Sequence, residues 1–543
     1  MLQSTCETEL KLSVAGNWSA VKILEKLKFC NNGILKISTL ERGHTLPKEK
    51  EIEDETNSTT KLPPGFVLLV ILIGISGIFT IIMWFTEFYM FQILQFVTIT
   101  QGSASYNMWI NPPVKPYVTI YPFNYTNIDR VMEHGDTPIV QELGPFVYRE
   151  TVERINVEFN ANGTVTYQEK RSSEFVPEMS QGDPENIPIV VPNLPLIAAM
   201  SMASNANLFT HTLFSFFLDG LQVKSFLKLN INEYFWGYED GLYTLAQGLA
   251  STVHKEAQLS KFGIVTNRRG LSADRITIHS GVGNLDELGI ITRYNGRDSL
   301  NVWKTDECNR LDGSDGSQFP PTTLSRDSRL YVFHMNLCRK FPLIYKEDVE
   351  IVPGVTAFRF QAPRNVFDTP ITNPDNACYY SEDNSPPSGV IDASPCSSGP
   401  VMMSFPHFYL GDPELRKDVL GLSPDPEKHE TFIDIHAKLG VTVAARSRFQ
   451  INVMLDKAGS THFQNFKPGM ILPIAWIELK VDKLPDDIKR TLQQTSISIN
   501  LGELLLKWTS LITLTLSMIF LVRKIIMKDC FINNERLVLP MTK

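Results

Sequence analysis

Residues 65–85, GFVLLVILIGISGIFTIIMWF, run for twenty-one positions without a charged side chain. As a helix this stretch is roughly 31 Å long, the thickness of a bilayer's hydrocarbon core. A second stretch, residues 504–522, is interrupted only by Lys507, whose long stem carries its ammonium to the interface. A chain with these two stretches reads as a hairpin through a membrane. Lys48, Lys50 and Lys61 precede the first span and residues 88–114 after it contain no Lys or Arg, while Arg523, Lys524 and Lys528 follow the second. The positive-inside bias then places both termini in the cytosol. The expected division is a cytosolic tail (1–64), a first span (65–85), an ectodomain (86–503), a second span (504–522) and a short cytosolic tail (523–543).

An ectodomain of this length accommodates one large domain or several average ones. With charged residues at 20% and aromatics at 10%, it reads as folded, and a net charge of −8 with no basic stripe argues against nucleic acid as a partner. Residues 1–30 contain no uncharged run of signal-peptide length, so the first span is expected to act as signal anchor. Residues 21–29 have the pattern of a short amphipathic helix, against the plainer reading of a polar tail.

Cysteines and sequons sort by side. Cys6, Cys30 and Cys530 fall in the expected cytosolic parts, with Cys530 a candidate for S-acylation close to the second span. Cys308, Cys338, Cys378 and Cys396 fall in the ectodomain, where disulfides persist; four cysteines allow three pairings, and spacing does not choose among them. Asn124 and Asn162 head the sequons on the ectodomain side and are the candidate glycosylation sites.

After the first span the patterning is that of strands and turns. Residues 118–121 read as a strand among prolines, Gly144-Pro145 as a turn ahead of another, and residues 157–169 as a hairpin around Asn162-Gly163. From Leu196 to about Trp236 helices are expected, with Phe209, Leu213, Phe217 and Leu221 at i, i+4 spacing and Phe214, Phe216 and Phe226 widening the apolar surface. Such a stretch is either a buried helix pair or an exposed apolar platform, with Lys224 and Lys228 beside it, that binds lipid or protein. The alternation of Phe449, Ile451, Val453 and Leu455 against Arg448, Gln450 and Asn452 predicts a two-sided strand paired with residues 441–445.

No catalytic chemistry is expected. The chain has no H-E-x-x-H, G-x-S-x-G, Walker loop or C-x-x-C, and its DGSDGS run (312–317) does not space oxygen ligands as an EF-hand requires. His334, His407, His429 and His436 are scattered singly and read as hydrogen-bonded residues, not ligands. Neither a metal nor a cofactor is expected.

Nine segments then occur in a telling order: LGPFVYRE (143–150), VPNLPL (191–196), WGYED (236–240), DGSDGSQFPP (312–321), NPDNACYY (373–380), GVIDASPC (389–396), SFPHFYLGDP (404–413), GLSPDPEKHETFIDI (421–435) and ILPIAWIE (471–478). Together they resemble the class B scavenger receptor family over about residues 65–528. The resemblance implies an α+β fold: a large antiparallel β-barrel-like ectodomain, an apical helical bundle and an internal apolar tunnel, anchored by two transmembrane helices. It implies a cell-surface receptor that captures lipids of the fatty-acid, sterol or carotenoid class, or lipoprotein-like particles, and transfers hydrophobic cargo to the membrane. It also moves Phe209, Phe214, Phe217 and Phe226 to the ligand-binding apex. The family's apical lysine has no gapless counterpart, since the count lands on Gly220, and Lys224 is the nearest basic residue. By order in the family Cys308 pairs with Cys378 and Cys338 with Cys396; Tyr380 stands where some members begin a third bridge.

The competing readings are an adhesion, phagocytic or trafficking receptor without lipid transfer, a two-span channel and an ecto-hydrolase. The second span offers only Thr and Ser as pore groups, and the hydrolase reading lacks a constellation. The plasma membrane is the expected location, a lysosomal or endosomal membrane the alternative, because Glu535 to Pro540 only approaches an acidic-dileucine signal. Homo-oligomers are compatible with all of this.

Overall fold

The computed structural model describes residues 63–204, 218, 220, 223–251, 261–380, 386–397, 399–455, 461–481 and 484–536. Among the described residues, two helices are long and apolar enough to cross a membrane: Pro64–Phe85 and the apolar part of Asp486–Arg536. The second is 51 residues long, about 77 Å at 1.5 Å per residue, so much of it lies outside any bilayer. Asp486 and Asp487 in its first turn complement the helix dipole. The two helices run antiparallel. Lys524 Nζ lies 3.4 Å from the Gly65 carbonyl at one end, and the Trp84 indole donates to the Lys507 carbonyl at 3.0 Å at the other. Ser76, Met83, Ser510 and Ser517 are buried while Leu68, Ile75 and Ile519 are exposed, as suits helices solvated by lipid. Lys507 is paired with Glu503 at 2.7 Å.

Between these helices in the chain, the described residues form a 15-stranded sheet. Its main path is antiparallel and nearly follows chain order: Arg329–His334, Arg339–Val352, Val355–Gln361, Phe432–His436, Thr442–Met454, Ile471–Val481, then back to Tyr117–Tyr125, Phe146–Phe159, Thr164–Phe175, Ile276–His279 and Ile291–Tyr294. The first strand therefore pairs with the last, in register from Tyr117 opposite Lys480 to Pro122 opposite Ala475.

The two ends of this path meet. Gly313 and Ser314 run between them, with Ile291 N bonded to the Gly313 carbonyl at 2.9 Å, Ser314 N to the Tyr331 carbonyl at 2.9 Å and Phe333 N to the Ser314 carbonyl at 2.9 Å. This stitch nearly closes the sheet into a barrel, the arrangement that leaves fewest unpaired edges. The same loop also reaches the turn at Gly440, where Phe319 N bonds to the Gly440 carbonyl at 2.7 Å. Gly440 has φ +69° and a Cβ there would overlap the Phe319 carbonyl, so the contact requires glycine.

Two expectations are corrected. Residues 441–445 do not pair with the alternating stretch; both belong to one strand, Thr442–Met454, whose partners are Phe432–His436, Val401–Ser404 and Ile471–Val481. Its polar row is not solvated either: Arg448, Gln450 and Asn452 are buried, with Gln450 donating to Asn452 Oδ1 at 2.7 Å and Asn452 donating to the Ser404 hydroxyl at 3.1 Å. Buried polar side chains persist where each finds a partner. Second, helix does not continue from Leu196 to Trp236. Leu194–Ser204 is helical, but Phe226–Asn230 is a strand paired with Pro188–Pro192. Helix resumes at Ile231–Trp236 because Asn230 and Glu233 form a reciprocal capping box.

Among the described residues, two apolar clusters bracket the folded body. One, containing Leu94, Ile99 and Ile499, lies beside the spans; the other, containing Ile197, Tyr234 and Trp476, lies under Leu194–Ser204 and Ile231–Trp236.

Candidate ligand-binding site

Among the expected ligand-binding residues, Phe226 and Lys224 are described, while Phe209, Phe214 and Phe217 lie outside the described residues. Strand Phe226–Asn230 holds the half-buried Phe226 ring over three others: Tyr125 at 5.2 Å between centroids, Phe466 at 5.7 Å and nearly parallel, and Phe463 at 6.1 Å. The Tyr125 hydroxyl donates to the Pro473 carbonyl at 3.0 Å, and burial raises its pKa well above the ordinary phenol value. Lys224 is exposed, and its main chain is fixed by Asn193, which donates to the Lys224 carbonyl at 2.9 Å. The result is an aromatic floor with a partly open ring and an exposed lysine two residues before it in the chain. Such a surface takes up apolar chains and tolerates an anionic group at its rim.

Next to it, Tyr148 meets Trp236 at 5.0 Å, and the Arg269 guanidinium lies 3.7 Å over the Trp236 ring. Below these rings the barrel interior changes character. Along Phe146–Phe159 and Thr164–Phe175 the outward Lys170 and Glu174 are exposed and Arg149 and Glu153 half-buried, and the inward row carries Glu150, Glu169 and Arg171. Glu150 is 1% exposed and receives Arg171 at 3.1 Å and Arg268 at 2.8 Å; Arg171 also holds Glu169 at 2.6 Å. Two guanidiniums thus meet two carboxylates, which is what burial of charge demands. Burial, with the charges of Arg268 and Arg171, pushes His334 down to about 4. This charged layer separates Phe146 and Tyr148 of one apolar cluster from Val165 and Tyr167 of the other. Strand alternation alone does not reveal it, because a buried charged row and a solvated one share one pattern.

A second group missed in the sequence joins four distant segments. His407 Nδ1 accepts the Ser423 N–H at 3.0 Å, so Nε2 carries the proton that bonds Glu142, whose carboxylate also receives the Trp476 indole at 2.7 Å. His407 stacks on His429 at 4.7 Å. Burial works to raise the Glu142 carboxyl, but the bonds from His407 and Trp476 hold it below its ordinary value. Burial, with His407 beside it, pushes His429 down to about 4. His407, Phe408 and Leu410 all have positive φ, a strained run held by the Gln450 side chain, which accepts the His407 N–H at 2.6 Å. His407, His429 and His436, far apart in the sequence, are core residues, whereas His334 is half-buried with its ring edge-on to Phe449 at 5.9 Å.

The four cysteines between the two long apolar helices form Cys308–Cys378 and Cys338–Cys396, with Cα separations of 6.2 and 5.8 Å. Tyr380 is buried and donates to the Val390 carbonyl at 3.1 Å. Asn124 is half-buried on the first strand with its carbonyl oxygen bonded to Val190 N at 2.8 Å, whereas Asn162 is exposed at a hairpin turn. Cys530 lies on the helix Asp486–Arg536.

Two membrane-length helices flanking an antiparallel barrel with an aromatic end define a two-span membrane protein whose folded body lies between its anchors. The model of the CD36 family matches residues 67–525, and the chain belongs to that family. It is similar to scavenger receptor class B member 1 of Bos taurus, 32% identical over 419 residues that cover 76% of this chain and 79% of the relative. It is also similar to lysosome membrane protein 2 of Mus musculus, 30% identical over 411 residues (75% and 83%), and of Homo sapiens, 31% over 388 residues (71% and 78%).

Proposed function

We propose that this protein is a receptor that captures lipids or lipoprotein-like particles at the aromatic end of its barrel and passes hydrophobic cargo toward the membrane. The observation that carries this reading is the half-open ring of Phe226 on Tyr125, Phe463 and Phe466, with the exposed Lys224 two residues before it in the chain. Likeness to scavenger receptor class B member 1 supports it. A lipid tail of about fifteen methylenes costs on the order of 12 kcal/mol to expose to water, so delivery of single lipids favours an enclosed apolar route. Such a route has to skirt the Glu150–Arg268 layer, which favours cargo with a polar head or a path along the barrel wall. We place both termini in the cytosol and the protein at the plasma membrane.

The test is uptake of labelled fatty acid, sterol ester and carotenoid into cells expressing the chain, beside a variant with Phe214, Phe217 and Phe226 changed to Asp. Uptake lost in the variant at normal surface expression supports capture through these rings. No uptake by the wild type at confirmed surface expression overturns transfer in favour of an adhesion or trafficking receptor. Likeness to lysosome membrane protein 2 makes the compartment part of the same experiment: accumulation in lysosomes in place of the cell surface would select the trafficking reading.

A further inference from the structure

The first span does not hand over directly to the barrel. Residues 88–114, between Glu87 and Lys115, carry no charged side chain, yet they do not cross a membrane. They form a short helix Phe88–Leu94, continued by the turn Gln95–Val97, and a second helix Ala104–Ile110 capped by Ser103. The first helix carries no charge on either side, and its exposed side mixes aromatic rings with the neutral Gln92 and, just beyond it, Gln95. Leu94 is buried, and Tyr89, Met90, Ile93 and Val97 pack on the apolar cluster beside the spans. The opposite side presents Phe88, Phe91 and Phe96, with Phe96 77% exposed, and Met108 of the second helix is exposed as well. A water-facing helix would carry charge there.

The level of this helix relative to the spans is set by two contacts. Trp84 and Trp508 meet edge to face at 5.7 Å where the spans emerge, the position at which Trp anchors a helix in the interface. Tyr89 lies against Gly502, closely enough that a Cβ there would collide with its hydroxyl. Gly502 precedes Trp508 by six residues, about 9 Å along the helix. Interfacial helices bury their apolar faces at about this scale, 5–10 Å into the boundary between headgroups and acyl chains. Leu501, Leu504 and Leu505 are exposed at the same level of the C-terminal helix, so the apolar surface is continuous with that of the spans.

We propose that the face formed by Phe88, Phe91, Phe96 and Met108 lies in the headgroup region of the bilayer as a third membrane contact. It holds the base of the barrel on the lipid surface, independently of whether cargo passes through the domain. The occupant is the bilayer itself, because the face is continuous with two membrane-length helices and lacks the charges that would solvate it.

The experiment uses the full chain in phosphatidylcholine nanodiscs, with Cys6, Cys30 and Cys530 changed to Ser. A nitroxide is placed singly through Phe91→Cys, Phe96→Cys or, as an aqueous control, Ile371→Cys, a position 92% exposed. All three side chains are exposed, so their replacement empties no core, and two independent positions report on the face. Collision with oxygen is expected to exceed collision with a water-soluble nickel chelate several-fold more at 91 and 96 than at 371. Equal ratios at the three positions overturn the proposal. Spin–spin broadening at 91 or 96 that disappears on dilution with unlabelled protein also overturns it, by assigning the face to a second copy of the chain.

Discussion

Tyr121 and Trp476 lie flat against each other, ring centroids 3.7 Å apart and planes within 5°, directly opposite on the first and last strands of the barrel. The stack joins segments at opposite ends of the folded body, and the same indole supports Glu142. Trp476→Ala removes both functions and is expected to cost about 3–5 kcal/mol. Tyr121→Phe keeps the ring and is expected to be nearly neutral. Thermal unfolding of the purified full chain measures both, and equal losses would show that the stack is not the source of the stability.

Acid should loosen this fold. His429 accepts the Asp425 N–H on Nδ1 at 2.9 Å, and His436 accepts the Lys438 and Leu439 N–H groups on Nδ1 while its Nε2 bonds the Ser496 hydroxyl at 3.0 Å. A proton on either Nδ1 displaces a main-chain bond. Burial is the first cause that pushes both to about 4 from the ordinary 6.5. The unfolded chain then binds protons that the folded chain refuses. Stability present above pH 6.5 is lost as the pH falls toward about 4. A Tm series from neutral to acid pH should fall over that window and flatten in His429→Gln; an unchanged slope in the variant sinks the assignment.

Arg154 is buried against Asp315 at 2.9 Å and donates to the Trp109 carbonyl at 2.6 Å, tying the closing loop to the wall opposite it. Asp315→Ala strands the guanidinium and is expected to cost about 3–5 kcal/mol, with much reduced surface expression. Adding Arg154→Met should recover part of that loss. A double variant as poor as the single one would mean that closure, and not the stranded charge, sets the cost.

The two sequons should differ in occupancy. Asn162 sits exposed in its turn, whereas the Asn124 carboxamide already bonds Val190 N inside the domain. A glycosidase-sensitive mass shift is expected to vanish in Asn162→Gln and to persist in Asn124→Gln. The reverse pattern would show that Asn124 is modified before its strand pairs.

What could be read in advance follows from which signals are local. The spans stand out because absence of charge over one helix length has few other meanings, and the turn at Asn162-Gly163 because its dipeptide favours the backbone needed there. The i, i+4 spacing up to Leu221 extends a helical expectation over Phe226, since nothing between Leu221 and Phe226 announces a strand; only pairing with Pro188–Pro192 decides it. Alternation sets Gln450 and Asn452 on the second face of their strand but does not say what covers that face, because it cannot tell water from a buried partner such as Ser404. The charged layer of Glu150, Arg171 and Arg268 is invisible for the same reason, since Arg268 arrives from a segment far along the chain. Phe209, Phe214 and Phe217 lie outside the described residues, so the site beyond Phe226 and Lys224 rests on the proposed function.

Pairing the first strand with the last has a consequence for biogenesis. Tyr125 finds the Pro473 carbonyl across 348 residues of chain. At roughly 5–20 residues per second, the opening strand waits roughly 17–70 s for its neighbour to be synthesised. Throughout that interval one of its edges is unpaired. Cys308, Cys338, Cys378 and Cys396 all precede the last strand, so both bridges are free to form first. Oxidative folding can set the far side of the barrel before the ribosome delivers the piece that shuts it.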